Sequence, residues 1–328
     1  MRPRIVVSLG FFLAVIPQAR AQFVLQSDRL FPKDASGVPA FGESVAVSAD
    51  GNTTIAGGGN DNSYTGAAWI FTRDITSRNP WSQQGNKLVG TGAAGTAEQG
   101  LSVALSADGD TAIVGGPFDN TGVGAAWIFT RSNGVWSQQG GKLAGTGVVG
   151  ISEQGTSVAL SADGNTAAIG GPLDNGNAGA VWIFTRASGV WSQQGGKLAG
   201  SGAVGPAGFG SAVALSADGN TVVAGGPTDN SFAGATWIFT RSGGGWSQQG
   251  GKLLGTGGVA AQQGTAVAVS SDGNTLITGG PGDSSGGAWV FVRSGGAWSQ
   301  QGDRFGSVIN GNVAAVGTTL QGPTLPAL

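Results

Sequence analysis

The sequence predicts an all-β fold, a β-propeller of four-stranded antiparallel blades. Three observations predict it. First, one unit occurs five times, with turn aspartates at Asp50, Asp108, Asp163, Asp218 and Asp272, spaced 58, 55, 55 and 54 residues apart. Such a period belongs to folds in which each unit buries its faces on its neighbours. Second, every copy holds four short strand-like pieces separated by turn residues. Third, the longest piece is apolar on both faces. In copy three Trp182, Phe184 and Arg186 share one face, and Val181, Ile183 and Thr185 the other. A meander facing solvent would have one polar side, so two apolar sides predict sheets stacked between sheets. Four strands per unit with two-sided burial favour a propeller over a β-helix.

The first segment reads as an export signal. Arg2 and Arg4 precede an apolar run from Ile5 to Ile16, and Ala19-Arg20-Ala21 has the form of a cleavage site. The run is shorter than the ~20 residues of a membrane span. The expected organisation is a signal peptide at 1–21, an N-terminal closing strand and linker at 22–40, five repeats at 41–302, and a degenerate repeat and tail at 303–328. The mature chain is expected outside the cytoplasm, secreted or periplasmic, with no membrane span.

Within a repeat the pieces follow one order. Copy three has Ser157–Ser161, the turn Ala162-Asp163-Gly164, then Thr166–Ile169 ending in Gly170-Gly171-Pro172. The third piece is Gly179–Arg186 and the fourth Trp191–Leu198. The fourth is the most polar, as suits an outer edge that must not recruit other chains. Before the first copy, Phe23–Leu30 matches the fourth piece in length, aromatic start, glutamine, basic residue and final leucine. After the fifth, Phe305–Val316 reads as a shortened first hairpin turned at Asn310-Gly311. Together they predict a sixth blade built from both termini.

Composition narrows the chemistry. Glycine supplies 64 of 328 residues, yet 40% are hydrophobic and ten are tryptophan, which favours a packed fold over disorder. A net charge of −2 with dispersed Lys and Arg leaves no footprint for nucleic acid. There is no cysteine and no histidine. Disulfides, thiolate nucleophiles, Cys/His zinc sites and a histidine general base are therefore excluded. Carboxylates remain as catalytic groups.

Phe41-Gly42 and Phe209-Gly210 open copies that later carry Gly-Gly-Pro, as at Gly225-Gly226-Pro227, and then Gly234-Ala-Thr-Trp-Ile-Phe239. This order resembles the FG-GAP repeat of secreted bacterial propeller proteins and of the integrin alpha-subunit head, over about residues 41–302. Two departures stand out. Gly replaces the middle Ala of Gly-Ala-Pro, and Gln-Gly replaces Phe-Gly in copies two, three and five. Propellers with Ser-Pro-Asp-Gly turns are the rival, because Ser-Ala-Asp-Gly is close to their hairpin.

Asp218-Gly219-Asn220 poses a choice between a calcium loop and a tight turn. The resemblance implies a calcium loop between the first two strands, but the later acids of that loop are missing here. Calcium takes 6–8 oxygens, whereas Asp-Gly supplies the positive φ of a hairpin turn. The expectation is a turn, with no metal and no cofactor. On the same side of the disc Asp108 is expected to pair with Arg131, and Asp163 with Arg186.

The loops between second and third strands are expected to ring the opposite mouth of the channel. They contribute Asp61, Asp119, Asn120, Asp174, Asn175, Asp229, Asn230 and Asp283 as candidate ligand contacts, against a purely structural role in starting turns. Trp136, Trp191 and Trp246 begin outer strands and are candidates for stacking on sugars; the alternative is that each covers its own blade. No catalytic residue is singled out, because the copies are so alike. The expected function is an exported, non-enzymatic binding or adhesion scaffold with a protein or glycan partner outside the cell, by fold-level resemblance. The alternatives are a lectin-like propeller and a carboxylate hydrolase.

Overall fold

The computed structural model describes residues 29–77, 80–282 and 286–305. The expected signal peptide, the C-terminal hairpin after Phe305 and most of the N-terminal strand lie outside them, as does Asp283. The described chain folds into five antiparallel sheets, each of four strands in sequence order. The first holds β1 (Val45–Val47), β2 (Thr53–Gly58), β3 (Ala67–Arg73) and β4 (Trp81–Gln83). The second holds β5 (Ser102–Leu105), β6 (Thr111–Gly116), β7 (Ala125–Ser132) and β8 (Val135–Gln138). The third holds β9 (Ser157–Leu160), β10 (Thr166–Gly171), β11 (Ala180–Ala187) and β12 (Val190–Gln193). The fourth holds β13 (Ala212–Leu215), β14 (Thr221–Gly226), β15 (Ala235–Ser242) and β16 (Gly245–Gln248). The fifth holds β17 (Ala266–Val269), β18 (Thr275–Gly280), β19 (Gly287–Ser294) and β20 (Ala297–Gln300).

The first strand of each sheet lies against the first strand of the next, from β1 through to β17. The sheets therefore radiate from a common inner edge, as the blades of a β-propeller do. Four hydrophobic clusters each form between two consecutive sheets. Ile113, Ile128 and Leu143 of the second meet Ala167, Ile169, Trp182 and Phe184 of the third. The alternation read from sequence is what builds this: the Trp/Phe face of one sheet covers the isoleucine face of the sheet before it. The tryptophan ring demands room, and Gly145 provides it. A Cβ there would lie 2.0 Å from Trp182 Cδ1, and the indole Nε1 donates to the Thr146 carbonyl oxygen at 2.8 Å.

Two further sets of bonds tie the inner edge together. Ser44, Ser102 and Ser157 each accept, through Oγ, a backbone N–H of the next inner strand, from Val103, Val158 and Val213, all at 3.0 Å. The hairpin turns form a head-to-tail chain: Ala49 N–H to Ala107 O, Ala107 to Ala162, Ala162 to Ala217, and Ala217 to Ser271.

The structure corrects one alignment. Phe305 does not open a new hairpin. It pairs with Ala288 as Leu88 pairs with Ala68, so it completes the outer strand of the fifth sheet.

Candidate functional site

At one end of the propeller each first hairpin turns on its aspartate. Asp163 Oδ1 accepts the Ser161 hydroxyl at 2.5 Å and the Asn165 N–H at 2.9 Å, while Gly164 takes the left-handed φ of 66°. Asp50, Asp108, Asp218 and Asp272 repeat this lock. Burial alone would push the Asp163 carboxyl up. The donors Ser161 and Asn165, with the Arg186 charge, hold it below the usual carboxylate range. The carboxylates are thus occupied by their own turns. The expected Asp–Arg pairs are displaced by two residues: Arg131 Nε bonds Asp110 Oδ1 at 2.6 Å, and Arg186 Nε bonds Asn165 Oδ1 at 2.8 Å. The lock turns Asp108 and Asp163 back onto Ser106 and Ser161, so the following side chain meets the guanidinium.

The opposite end carries the loops between second and third strands, where Asp and Asn part company. Asp61, Asp119, Asp174 and Asp229 are almost fully buried. Asp119 Oδ2 accepts Lys142 Nζ at 2.5 Å and its Oδ1 accepts the Ala94 N–H at 2.7 Å. Asp61 with Lys87, Asp174 with Lys197, and Asp229 with Lys252 repeat the pair. These aspartates anchor the loop after the fourth strand rather than line an opening. Asn120, Asn175 and Asn230 stay exposed, on left-handed backbone at φ 49–53°.

The rim tryptophans are half-buried staples. Trp136 Nε1 donates to Gln84 Oε1 of the preceding sheet at 2.9 Å, and the Arg131 guanidinium lies over its ring at 5.4 Å. Trp191 and Trp246 do the same with Gln139 and Gln194 under Arg186 and Arg241. Each also packs on an inter-sheet core. Their N–H groups are taken, and only part of each ring reaches solvent.

Glu98 and Glu153 are the residues that sequence reasoning passed over. Each sits four residues before the start of its inner strand, at the loop end, in left-handed backbone at φ 53°. An anchor follows each of them directly. Gln99 is fully buried, and its Oε1 accepts the Gly90 N–H at 2.5 Å; Gln154 does the same to Gly145. Glu98 N–H donates to Tyr64 O and Glu153 N–H to Gly122 O, which ties both to the preceding sheet. Glu43, exposed just before β1, faces the same cluster. Burial first, then the Glu43 and Glu153 charges, push the Glu98 carboxyl up; burial does so for Glu153. Among the described residues no three acids come close enough to hold a metal ion. The signal was in the sequence. Copies two and three read Glu-Gln-Gly where copies one, four and five read Ala-Phe-Gly, Gly-Phe-Gly and Gln-Gln-Gly. This is a break of symmetry at one position in an otherwise uniform repeat.

Two half-buried carboxyls, Glu98 and Glu153, with the exposed Glu43 acting on Glu98, suit proton transfer. Burial, then the Glu43 and Glu153 charges, favour the protonated form of Glu98, and burial does so for Glu153, which makes these two carboxyls the groups at this end best suited to exchange a proton.

A scan of protein families and a search of curated proteins match nothing to this chain. Solved structures do. The periplasmic gluconolactonase of Pseudomonas aeruginosa is similar at TM-score 0.54 and 17% identity, over 80% of this chain and 71% of that one. A functionally unknown protein of Desulfotomaculum acetoxidans is similar at 0.50 and 15%, over 80% and 69%. A Bacteroides uniformis protein provisionally named a 6-phosphogluconolactonase reaches 0.49 and 13%, over 81% and 85%. At these identities the likeness is one of fold. It nevertheless overturns the expectation of a non-enzymatic adhesion scaffold, which rested on fold resemblance: the propeller matched at 0.54 is a named enzyme. No helix among the described residues is long and apolar enough to cross a membrane.

Proposed function

We propose that the chain is a hydrolase that opens small, uncharged cyclic esters, lactones of sugar acids, at the end of the propeller bearing Glu98. The observation that carries this reading is the Glu43–Glu98–Glu153 cluster, with Glu98 pushed up by burial and by both neighbours. A carboxylate shifted toward neutral pH is a stronger base than an ordinary one. Glu98 takes a proton from water as the oxygen attacks the lactone carbonyl carbon. The ring C–O bond then breaks, and the leaving alkoxide recovers the proton from the acid cluster. No redox partner is needed.

The charge of the cluster selects the substrate. Three carboxylates repel an anion, so a neutral lactone enters and the acid formed from it is expelled. A phosphorylated lactone is disfavoured on the same ground. The exposed amides of Asn120, Asn175 and Asn230 stand at this end and suit sugar hydroxyls. The name of the Pseudomonas aeruginosa neighbour supports the substrate class, and the pattern at 1–21 supports export. The finer affinity with FG-GAP repeats is part of this reading. Phe41 and Phe209 support it, each meeting a core tryptophan edge-on, Trp69 at 5.6 Å and Trp237 at 5.5 Å.

The test is acid release from glucono-δ-lactone in a pH-stat, against the spontaneous rate. The full chain is expected to exceed that rate, and Glu98→Gln to lose about 10²–10⁴-fold of the excess. A wild-type rate equal to buffer sinks the proposal.

A further inference from the structure

Around Glu98 the first copy departs from the others at three places. Gly59 enters the loop after β2 where the other copies have Pro117, Pro172, Pro227 and Pro281. Glu43 precedes the inner strand where they have Leu101, Thr156, Ser211 and Thr265. Tyr64, the one tyrosine of the chain, stands where copies two to four have Gly122, Asn177 and Phe232. Residues that only hold a repeat together recur with it, so three changes gathered at one place point to a job done there once.

The three positions converge. A Cβ built on Gly59 would lie 3.5 Å from Glu98 Cβ and 3.7 Å from Glu43 Oε2, so both acids border this glycine, and a proline ring in its place would take up the space they share. The Tyr64 carbonyl accepts the Glu98 N–H at 2.9 Å, which fixes the tyrosine backbone to that of the acid. Copy two gives the direction of a side chain at this position. A Cβ on Gly122 would lie 3.1 Å from Cγ2 of Ile151, two residues before Glu153. The side chain thus leaves over the segment that leads to the acid.

Neither packing nor backbone preference accounts for Tyr64. It is 53% exposed, so it adds little to the core. Its φ is 68°, and with Asn62 and Ser63 it forms a run of three left-handed residues. Glycine takes such a φ freely, as Gly122 does at 90°. An aromatic residue holds it under strain, and strain of this kind collects at working sites. Phe232 is strained and exposed in the same way, but its carbonyl meets the N–H of Gln262, with Pro227 and Ser211 in the places of Gly59 and Glu43. The acids beside it set Tyr64 apart.

We infer that Tyr64 is the platform on which the ring of a neutral sugar lactone lies beside Glu98, over the space that Gly59 leaves free. The inference rests on the hydrolase reading for its reaction. An exposed aromatic ring offers an apolar surface and a polar tip, which match the C–H face and the hydroxyls of a closed sugar ring. The opened acid loses that flat face, and its charge is repelled by Glu43 and Glu98, so product leaves.

Substitutions that copy the other repeats keep the fold and remove the seat. Tyr64→Gly is expected to raise KM for glucono-δ-lactone about 3–10-fold, with kcat within about twofold and Tm no lower than wild type. Gly59→Pro is expected to raise KM as well, and Tyr64→Phe to keep it near wild type. Phe232→Gly is expected to leave KM unchanged. An unchanged KM in Tyr64→Gly or Gly59→Pro, or an equal rise in Phe232→Gly, overturns the inference and leaves the hydrolase standing. A second readout needs no turnover. Because the chain has one tyrosine, biosynthetic meta-fluorotyrosine labels Tyr64 alone. Its fluorine NMR signal is expected to shift, to saturation, on titration with unreactive glucono-δ-lactam and to stay in place with gluconate. No shift with the lactam overturns the platform, whether or not the lactone is hydrolysed. A saturating shift in a chain that hydrolyses nothing upholds the platform and sinks only the hydrolase reading.

Discussion

The carboxylate of Asp229 is buried to 0% exposure and bonds Lys252 Nζ at 2.5 Å, across 23 residues of chain. Its other oxygen accepts the Val204 N–H at 2.7 Å. One side chain thus joins the loop of its own sheet to the outer strand behind it and to the incoming strand tail. Removing one partner of a buried pair costs more than the pair itself contributes, because the other is left desolvated. Asp229→Ala is expected to lose about 3 kcal/mol, near the low end for such pairs because the lysine is partly exposed. Urea unfolding measures it, and a loss below 1 kcal/mol refutes the anchoring role.

The packing of Trp182 on Gly145 predicts a pair of opposite outcomes. Gly145→Ala places a methyl into an indole ring that is fully buried and cannot withdraw. Overpacking of this kind costs about 1–3 kcal/mol. Gly141→Ala, a few residues earlier, meets open space and is expected to stay within about 0.5 kcal/mol of wild type. Equal midpoints for the two variants contradict the inter-sheet fit.

For Glu98 the folded state raises the carboxyl above its ordinary value, first by burial and then by Glu43 and Glu153. Its favourable contribution is present in full below the unfolded pKa and is lost as pH rises through the folded one. Glu98→Gln is therefore expected to gain stability relative to wild type between about pH 4 and pH 7, the gain largest at the top of that window. Tm against pH for both proteins tests this. Stability gained by removing a residue that activity needs would mark strain held at a working site.

Asp163 has the opposite sign. Burial raises it, but Ser161, Asn165 and Arg186 outweigh burial and lower it. Its contribution is present above the unfolded pKa and is lost as pH falls through the folded one. Asp163→Ala is expected to have a lower Tm than wild type at pH 7, with the gap closing toward pH 2–3. Calcium is expected to leave both curves unmoved, since the carboxylate is committed to the turn. A calcium-dependent rise in Tm that the variant lacks would restore the metal loop.

Sequence alone determined what is periodic and local: four strands to a unit, the two-faced alternation at Trp182 and Ile183, and the Asp-Gly turns. These follow from side-chain spacing along an extended chain and from the φ that glycine tolerates, which neighbours in sequence decide. Tertiary structure decided whatever depends on distance between copies. It turned Asp119 inward to Lys142, moved the partner of Arg131 from Asp108 to Asp110, and gave the rim Trp136 a glutamine acceptor from the preceding sheet. It also gathered Glu43, Glu98 and Glu153 from three copies at one end. A repeat shows which residues recur, but only the angle at which one sheet meets the next sets which of them meet.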